Sequence, residues 1–346
     1  LGDVYKRQTW LSVMIANFLF AIFFKTPDWI LRMITLQKPK QYLGQRLDLK
    51  SQLLIGIIEK YLPDLDDYES FRKARNDTIL NFSSDSIQSV DYEDKKIAVK
   101  QKNLEIRDYV PADIQTNKIM LYFHGGGYVI GSIDSHHGWV KYLSSALSMR
   151  IISLDYRLAP ENPFPSALED ANDTFEWIKS KLNVPDSDII VCGDSAGGHL
   201  AASLSTYRMI NNLPMPEIQF LIYPMIDPEC DSDSQKAFSD GLLLNSLDVS
   251  KFWSLFQNLS EDNQNPCFNL TLHTNKSPNP KTLLITAGFD PLTDEGEAYA
   301  KRLNEEGTKI TQLHYPNLFH AFVNFTKIPA CKLASDDLIL EMKAFL

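Results

Sequence analysis

The sequence predicts an α/β fold, a mainly parallel central sheet flanked by helices. Two observations lead there: short, continuously apolar runs recur along the chain, and stretches with helical periodicity separate most of them. The runs lie at residues 119–123, 151–154, 189–192, 220–223, 282–286 and 310–313, and the helical stretches at 135–148, 167–181, 196–210 and 295–306. Runs that are apolar throughout, rather than alternating, suit strands buried on both faces. With 346 residues, 44% of them apolar, the chain can build one large domain or a domain with an appendage. No internal repeat is visible.

Ahead of the first run, residues 87–90, 97–101 and 104–109 have the partly alternating pattern of short strands. Residues 48–61 place Leu49, Leu53, Leu54, Ile57 and Ile58 at helical spacing. Thr26-Pro27-Asp28 reads as a helix start: a capping hydroxyl on Thr26, Pro27 in first position and Asp28 at the positive dipole end. A helix over 29–37 is expected to follow. Because these elements precede the strands, residues 9–80 are expected to form a cap rather than a core layer. A second cap contribution is expected at about 225–278. About sixty residues separate the runs at 220–223 and 282–286, more than a crossover needs. That insertion holds a polar stretch, 227–240, and an apolar helical pattern, 246–259. The main domain is then residues 81–346.

A net charge of −10 with no basic run argues against phosphate-backbone recognition, so no nucleic-acid partner is expected. Cys192, Cys230, Cys267 and Cys331 are scattered without a CxxC pair. Neither a metal site nor a redox pair is expected, and a Cys230–Cys267 disulfide is the alternative to four free thiols. Residues 1–8 carry no initiator Met and read as a fragment edge or translation artefact, outside the fold argument. Residues 9–24 are nearly all apolar, broken by Ser12 and Asn17. As a helix they would reach about 24 Å, short of the ~30 Å hydrocarbon core. Lys6 and Arg7 precede them as in a signal sequence, but no small-residue cleavage site follows. Three readings stand: a helix over the active-site mouth, a membrane contact, or a signal. A cytoplasmic or membrane-associated location follows accordingly.

The chemistry lies in a few short segments. Gly193-Asp194-Ser195-Ala196-Gly197 is a Gly-x-Ser-x-Gly pentapeptide between the run at 189–192 and a helical stretch. A tight strand-to-helix turn with Gly193 and Gly197 on either side would present the Ser195 hydroxyl at the end of the sheet. His124-Gly125-Gly126-Gly127 follows the run at 119–123. Consecutive glycines let the amides of Gly126 and Gly127, with that of Ala196, converge on one oxygen. A phosphate loop is the competing reading, but no Walker lysine or G-x-G-x-x-G spacing is present. His124 is expected to bond structurally rather than act as a base. Asp290, in Gly288-Phe289-Asp290-Pro291-Leu292, sits after the run at 282–286. Asp294 is the lesser acidic candidate, expected to cap the helix at Glu295. His320 follows the last strand, and His314, read as strand end, is its rival. The chain order Ser, Asp, His sets aside His136, His137, His199 and His273 as base.

With Asp155-Tyr156-Arg157-Leu158-Ala159-Pro160, these segments resemble the hormone-sensitive-lipase-like family of α/β-hydrolase esterases, in its Gly-Asp-Ser-Ala-Gly branch, over about residues 118–325. The resemblance implies an α/β-hydrolase fold with a helical cap. It implies a Ser195–Asp290–His320 triad and oxyanion donors at Gly126, Gly127 and Ala196, supported by His124, Gly125, Gly193, Asp194 and Gly197. It also implies hydrolysis of short- to medium-chain carboxylic esters through an acyl-enzyme, on a small-molecule substrate, with no metal or cofactor. Asn162 departs from the family's Glu-His-Pro-Phe-Pro, which bears on local structure. An amidase or deacetylase with the same triad, or a non-catalytic binding protein of this fold, are the alternatives. Phe18, Phe20, Phe23, Phe24, Trp29, Phe252, Trp253 and Phe256 are read either as an apolar pocket or as cap core. Membrane contact through residues 9–24 and a homodimer stay open.

Overall fold

The computed structural model describes residues 22–83, 87, 89–100, 102–272 and 279–346. The expectations for residues 1–21, including Phe18 and Phe20, and for His273 lie outside the described residues.

Residues 22–25 are helical, and the Thr26 hydroxyl donates back to the Ile22 carbonyl at 2.8 Å. Thr26 therefore closes that segment instead of capping the next. The N-cap of α1 (Asp28–Thr35) is Pro27, and no side chain caps it. Leu36, left-handed at φ 56, ends α1 two residues before the expected limit. A small hairpin, β1 (Gln41–Tyr42) and β2 (Gln45–Arg46), leads to α2 (Leu49–Ile58). Asp48 caps α2 by accepting from Ser51 N at 2.7 Å. Next comes α3 (Tyr68–Phe82), which the sequence reading missed: only Phe71 and Arg75 are buried, so no apolar period announces it.

β3 (Val90–Val99) and β4 (Lys102–Pro111) are one long antiparallel hairpin where short separate strands were expected. The charged residues of β3 face solvent and blur its alternation. The remaining strands and helices follow in alternation: β5 (Ile119–Phe123), α4 (His137–Leu147), β6 (Arg150–Asp155), α5 (Ser166–Lys181), β7 (Ile189–Asp194), α6 (Ala196–Ile210) and β8 (Ile218–Ile222). After the insertion with α7 (Asp233–Ala237) and α8 (Ser246–Phe256) come β9 (Lys281–Phe289), α9 (Thr293–Glu305), β10 (Ile310–Phe319) and α10 (Pro329–Phe345). The eight-stranded sheet has the order β10-β9-β8-β7-β5-β6-β4-β3. It is parallel from β10 to β6 and antiparallel beyond.

Two-residue alternation divides the core. Ile119, Leu121, Phe123, Ile189 and Val191 face α5, α6 and α9. Met120, Tyr122, Ile190 and Cys192 face α4 and α10. Covered on both faces, the central strands keep the unbroken apolar runs visible in the sequence. All four cysteines are free thiols, so the Cys230–Cys267 alternative is not realised.

The N-terminal elements do not stand apart. Leu47, Leu54 and Ile55 join the same apolar cluster as Met120 and Phe289. From α3, Phe71 meets Phe252 of α8 at 6.4 Å between ring centroids. Arg72 Nε donates to the Val129 carbonyl at 2.7 Å. N-terminal helices and insertion thus converge on the loop after β5.

Candidate active site

Ser195 sits between β7 and α6 at φ 57 and ψ −121, backbone angles an L-residue adopts only under constraint. The constraint is visible. Ser195 N donates to the Ile222 carbonyl at 2.8 Å, and its own carbonyl accepts from His199 N at 3.0 Å. Strand and helix press so closely that a Cβ on Gly197 would lie 2.0 Å from the Phe123 carbonyl oxygen. Ala196, first residue of α6, has an amide without an intrahelical acceptor, at the positive end of the helix dipole.

The loop after β5 runs alongside. Gly125 N donates to Asp194 Oδ1 at 3.0 Å, and Gly127 takes φ 59. A Cβ on Gly127 would lie 2.2 Å from the Phe252 ring, so the insertion rests directly on this loop. Gly127→Ala must displace either loop or ring. We expect about a hundredfold loss of kcat or more, the cost of misplacing one such amide. Steady-state kinetics check it; Gly125→Ser is no control, because a Cβ there would lie 2.7 Å from Asp194 Oδ2.

Asp290, at the end of β9, and His320, just past β10, complete the group. His320 Nε2 is 2.9 Å from Ser195 Oγ, and His320 Nδ1 is 2.7 Å from Asp290 Oδ2. Facing a carboxylate, Nδ1 carries the proton and donates, which leaves Nε2 to accept from the serine hydroxyl. Asp290 is held by accepting from Leu292 N at 2.9 Å. All three side chains are buried. Such a chain of groups can draw a proton from Ser195 while neighbouring amides receive an oxyanion.

The rivals fall elsewhere. Asp294 does not cap α9, which begins at Thr293; its Oδ2 accepts from Ser234 N at 2.7 Å, in the first turn of α7. His314 lies inside β10 rather than at its end, between Thr286 Oγ1 at 2.9 Å and Gln45 Nε2 at 3.0 Å. His124 is fully buried, stacked on Tyr156 at 4.3 Å, with Nδ1 2.8 Å from the Gly125 carbonyl. Burial, and then His136, push its pKa down to about 3. His199 spans Tyr128 Oη at 2.6 Å and the Phe268 carbonyl at 2.9 Å, tying α6 to both the loop and the insertion. His137 sits by Tyr109, 3.0 Å from its hydroxyl. Asn162 donates to the Leu158 carbonyl at 3.3 Å, a local role.

Sequence reasoning missed the residues that gather around Asp194. Tyr122 donates to Asp194 Oδ1 at 2.6 Å and Asn324 Nδ2 to Oδ2 at 3.0 Å. His136 Nε2 approaches Oδ2 to 3.4 Å. Burial alone would raise this carboxyl, but His136, Tyr122 and Asn324 outweigh it and hold the pKa at about 2. Tyr156, present in a noted motif but given no task, donates to the His124 carbonyl at 2.7 Å. No local pattern marks Tyr122, His136 or Asn324, since their meeting is a product of the fold.

Glu295 of α9 is also buried. Its Oε1 accepts from Ile226 N at 2.8 Å and its Oε2 from Gln235 Nε2 at 3.3 Å. Burial pushes its pKa up to about 8 despite those donors. Between the ordinary 4.5 and about 8 the folded state holds a proton that the unfolded chain has released, so stability falls as pH rises through that window. Glu295→Gln removes the titration and offers a donor to Gln235 Oε1, which has no partner among the described residues. Its Tm should exceed that of the wild type at alkaline pH and converge with it in mild acid, as read by calorimetry.

A sheet of this order with Ser, His and Asp linked at a strand-to-helix turn defines the α/β-hydrolase class. The chain belongs to the alpha/beta hydrolase fold family, whose model matches residues 120–324, in its hormone-sensitive-lipase-like division. It is 32% identical over 267 residues to LipN, a carboxylic ester hydrolase of Mycobacterium tuberculosis, covering 74% of this chain and 71% of that one. To an ethyl acetate hydrolase of Pseudomonas putida it is 32% identical over 229 residues, 65% of this chain and 71% of the other. Among solved structures it is similar to an ester hydrolase from the metagenome of Lake Arreo. That comparison has a TM-score of 0.80 and 30% identity, and covers 86% and 98% of the two chains. A hyperthermophilic esterase from Pyrobaculum calidifontis matches with a TM-score of 0.78 and 29% identity, covering 86% and 98%.

Proposed function

We propose that the protein is a serine carboxylesterase that cleaves short- to medium-chain carboxylic esters of small molecules through an acyl-enzyme. The observation that carries this is the Ser195–His320–Asp290 hydrogen-bond chain set beside a glycine loop and the α6 N-terminus. Named relatives are carboxylic ester and ethyl acetate hydrolases, which supports an ester as substrate.

In this mechanism His320 takes the Ser195 proton as Oγ attacks the ester carbonyl. Asp290 keeps the imidazole in the tautomer that leaves Nε2 free and stabilises the imidazolium. The amides of Gly126, Gly127 and Ala196 hold the oxyanion, and the helix dipole adds to them. His320 then protonates the leaving alcohol, and water repeats the sequence on the acyl group. Gly193 and Gly197 keep the turn tight, while Gly125 and His124 shape the amide loop.

The N-terminal helices and the 225–278 insertion act together as a cap. Their aromatics divide in role. Trp253 and Phe256 are buried in a stack with Phe268 and Tyr128, where Tyr128 and Phe256 lie 3.7 Å apart. They support the cap as core. Phe252, set against Gly127, is the aromatic that borders the reacting carbonyl and limits the acyl group.

A p-nitrophenyl ester series from acetate to palmitate, run beside matched anilides, tests the reading. Acetate and butyrate should turn over fastest, with palmitate far behind. Preference for the anilides would favour the amidase alternative, and no turnover by folded protein would overturn the reading.

A further inference from the structure

The chain is acidic overall, with net charge −10, yet residues 22–50 carry Lys25, Arg32, Lys38, Lys40, Arg46 and Lys50 against only Asp28 and Asp48. Lys50 is within 3.7 Å of Asp28. Lys25, Arg32, Lys38 and Arg46 form no ion pair among the described residues. Three of them converge: a cavity of about 390 Å³ is lined by Arg32, Lys38 and Arg46 with Leu36 and Gln41, and by no carboxylate.

Large apolar side chains stand exposed around this cavity. Trp29 and Met33 of α1 are 63% and 68% exposed, Leu36 87% and Leu43, at the hairpin turn, 79%. Trp29 and Met33, four residues apart in α1, share one face, and Leu36 follows at its left-handed C-cap. An apolar face rimmed by unpaired cations is the pattern of a segment that lies in a membrane interface. The same charge opposes self-association through this face, because an isologous pair would bring the cations together.

The platform is also firmly seated. Gln45 bonds to His314, and its Oε1 packs where a Cβ on Gly288 would come within 2.2 Å. Asp48 N donates to the Asn317 carbonyl at 3.0 Å. Gly288 is two residues before Asp290 and Asn317 three before His320. The face is therefore joined to the end of the sheet that carries the active site.

We propose that α1 and the β1–β2 hairpin dock the protein on an anionic phospholipid bilayer, with Arg32, Lys38 and Arg46 receiving lipid phosphates and Trp29, Met33 and Leu36 entering the interface. The residues of this surface are separate in sequence from the apolar stretch at 9–21, and the proposal does not depend on the proposed reaction. The test is flotation of the full chain with vesicles of phosphatidylcholine alone, or with about 30% phosphatidylglycerol. Binding is expected to the anionic vesicles, weakened by about 0.5 M salt. The combined Arg32→Glu, Lys38→Glu and Arg46→Glu variant should lower the partition coefficient by at least about a hundredfold, since losing three surface cations has that effect and the three added carboxylates lower it further. Trp29→Ser with Met33→Ser should lower it without altering the dependence on lipid charge. Equal binding to neutral vesicles, or no change on charge reversal, would overturn the proposal. So would a shift from dimer to monomer in these variants with no vesicle binding by the wild type, since a second copy would then cover the face. Circular dichroism and melting confirm that each variant is folded.

Discussion

Ser195→Ala is expected to lower kcat/KM for p-nitrophenyl acetate by about 10⁴-fold or more, with little change in Tm. In the proposed mechanism the serine leaves its proton with His320, 2.9 Å away, and forms the bond to the acyl carbon. Without it, only the amides and substrate binding remain, which in other serine hydrolases leave a small residue of activity. The variant keeps Ala at φ 57, already imposed by the Ser195–Ile222 hydrogen bond, so the turn is retained. The wild type should release a burst of about one equivalent of p-nitrophenol per chain when deacylation is slow, and the variant none. Because groups that act as a unit lose their effect together, His320→Ala should cost a similar factor and the double variant hardly more. Retained turnover in Ser195→Ala would place the nucleophile elsewhere. Additive losses in the double variant would deny that the two side chains act on the same step.

The sequence was informative where function and local backbone coincide. A Gly-x-Ser-x-Gly between an apolar run and a helix needs its glycines for close approach, and a Cβ at Gly197 would lie 2.0 Å from the Phe123 carbonyl oxygen. The continuous runs were legible because β5, β7 and β8 are buried on both faces. The β3–β4 hairpin was less legible, since its outer strand is charged and exposed over most of its length. α3 escaped because it contributes few apolar side chains and is anchored instead by Arg72 on the Val129 and Ala159 carbonyls. Asp294 looked like a helix cap because acids favour first turns, and it does lie in one, yet its bond goes to Ser234 of another helix. Polar partners as far apart as Asp194 and Asn324, 130 residues along the chain, leave no spacing to read. Their arrangement is set by the sheet order.

That cluster carries the second large effect. Asp194→Ala should destabilise the protein by roughly 3–5 kcal/mol, since each buried donor left without its acceptor costs about 1–3 kcal/mol. Tyr122 Oη, Gly125 N and Asn324 Nδ2 would lose their acceptor in an interior that excludes water, and His136 Nε2 would lose its 3.4 Å neighbour. The sign of the pH dependence follows from a carboxyl held at about 2 when folded, against 3.8 ordinarily. Its contribution is complete above about pH 4 and is lost as pH falls toward 2, so the wild type should weaken across that window more steeply than the variant. Activity separates positioning from mere support. Asp194 binds the loop before Gly126 and the residue four beyond His320, and among the described residues it makes no hydrogen bond to Ser195 Oγ or the His320 imidazole. Its loss should therefore lower kcat, with KM little changed, at a temperature well below the melting range of the variant. Asp194→Asn, which keeps one carbonyl oxygen for Tyr122 or Gly125, should recover part of both. Unchanged kcat in a folded but less stable Asp194→Ala protein would reduce the residue to scaffold. A kcat loss that Asn partly restores would make it the joint through which β7 sets the amide loop and the His320 turn in register with the serine.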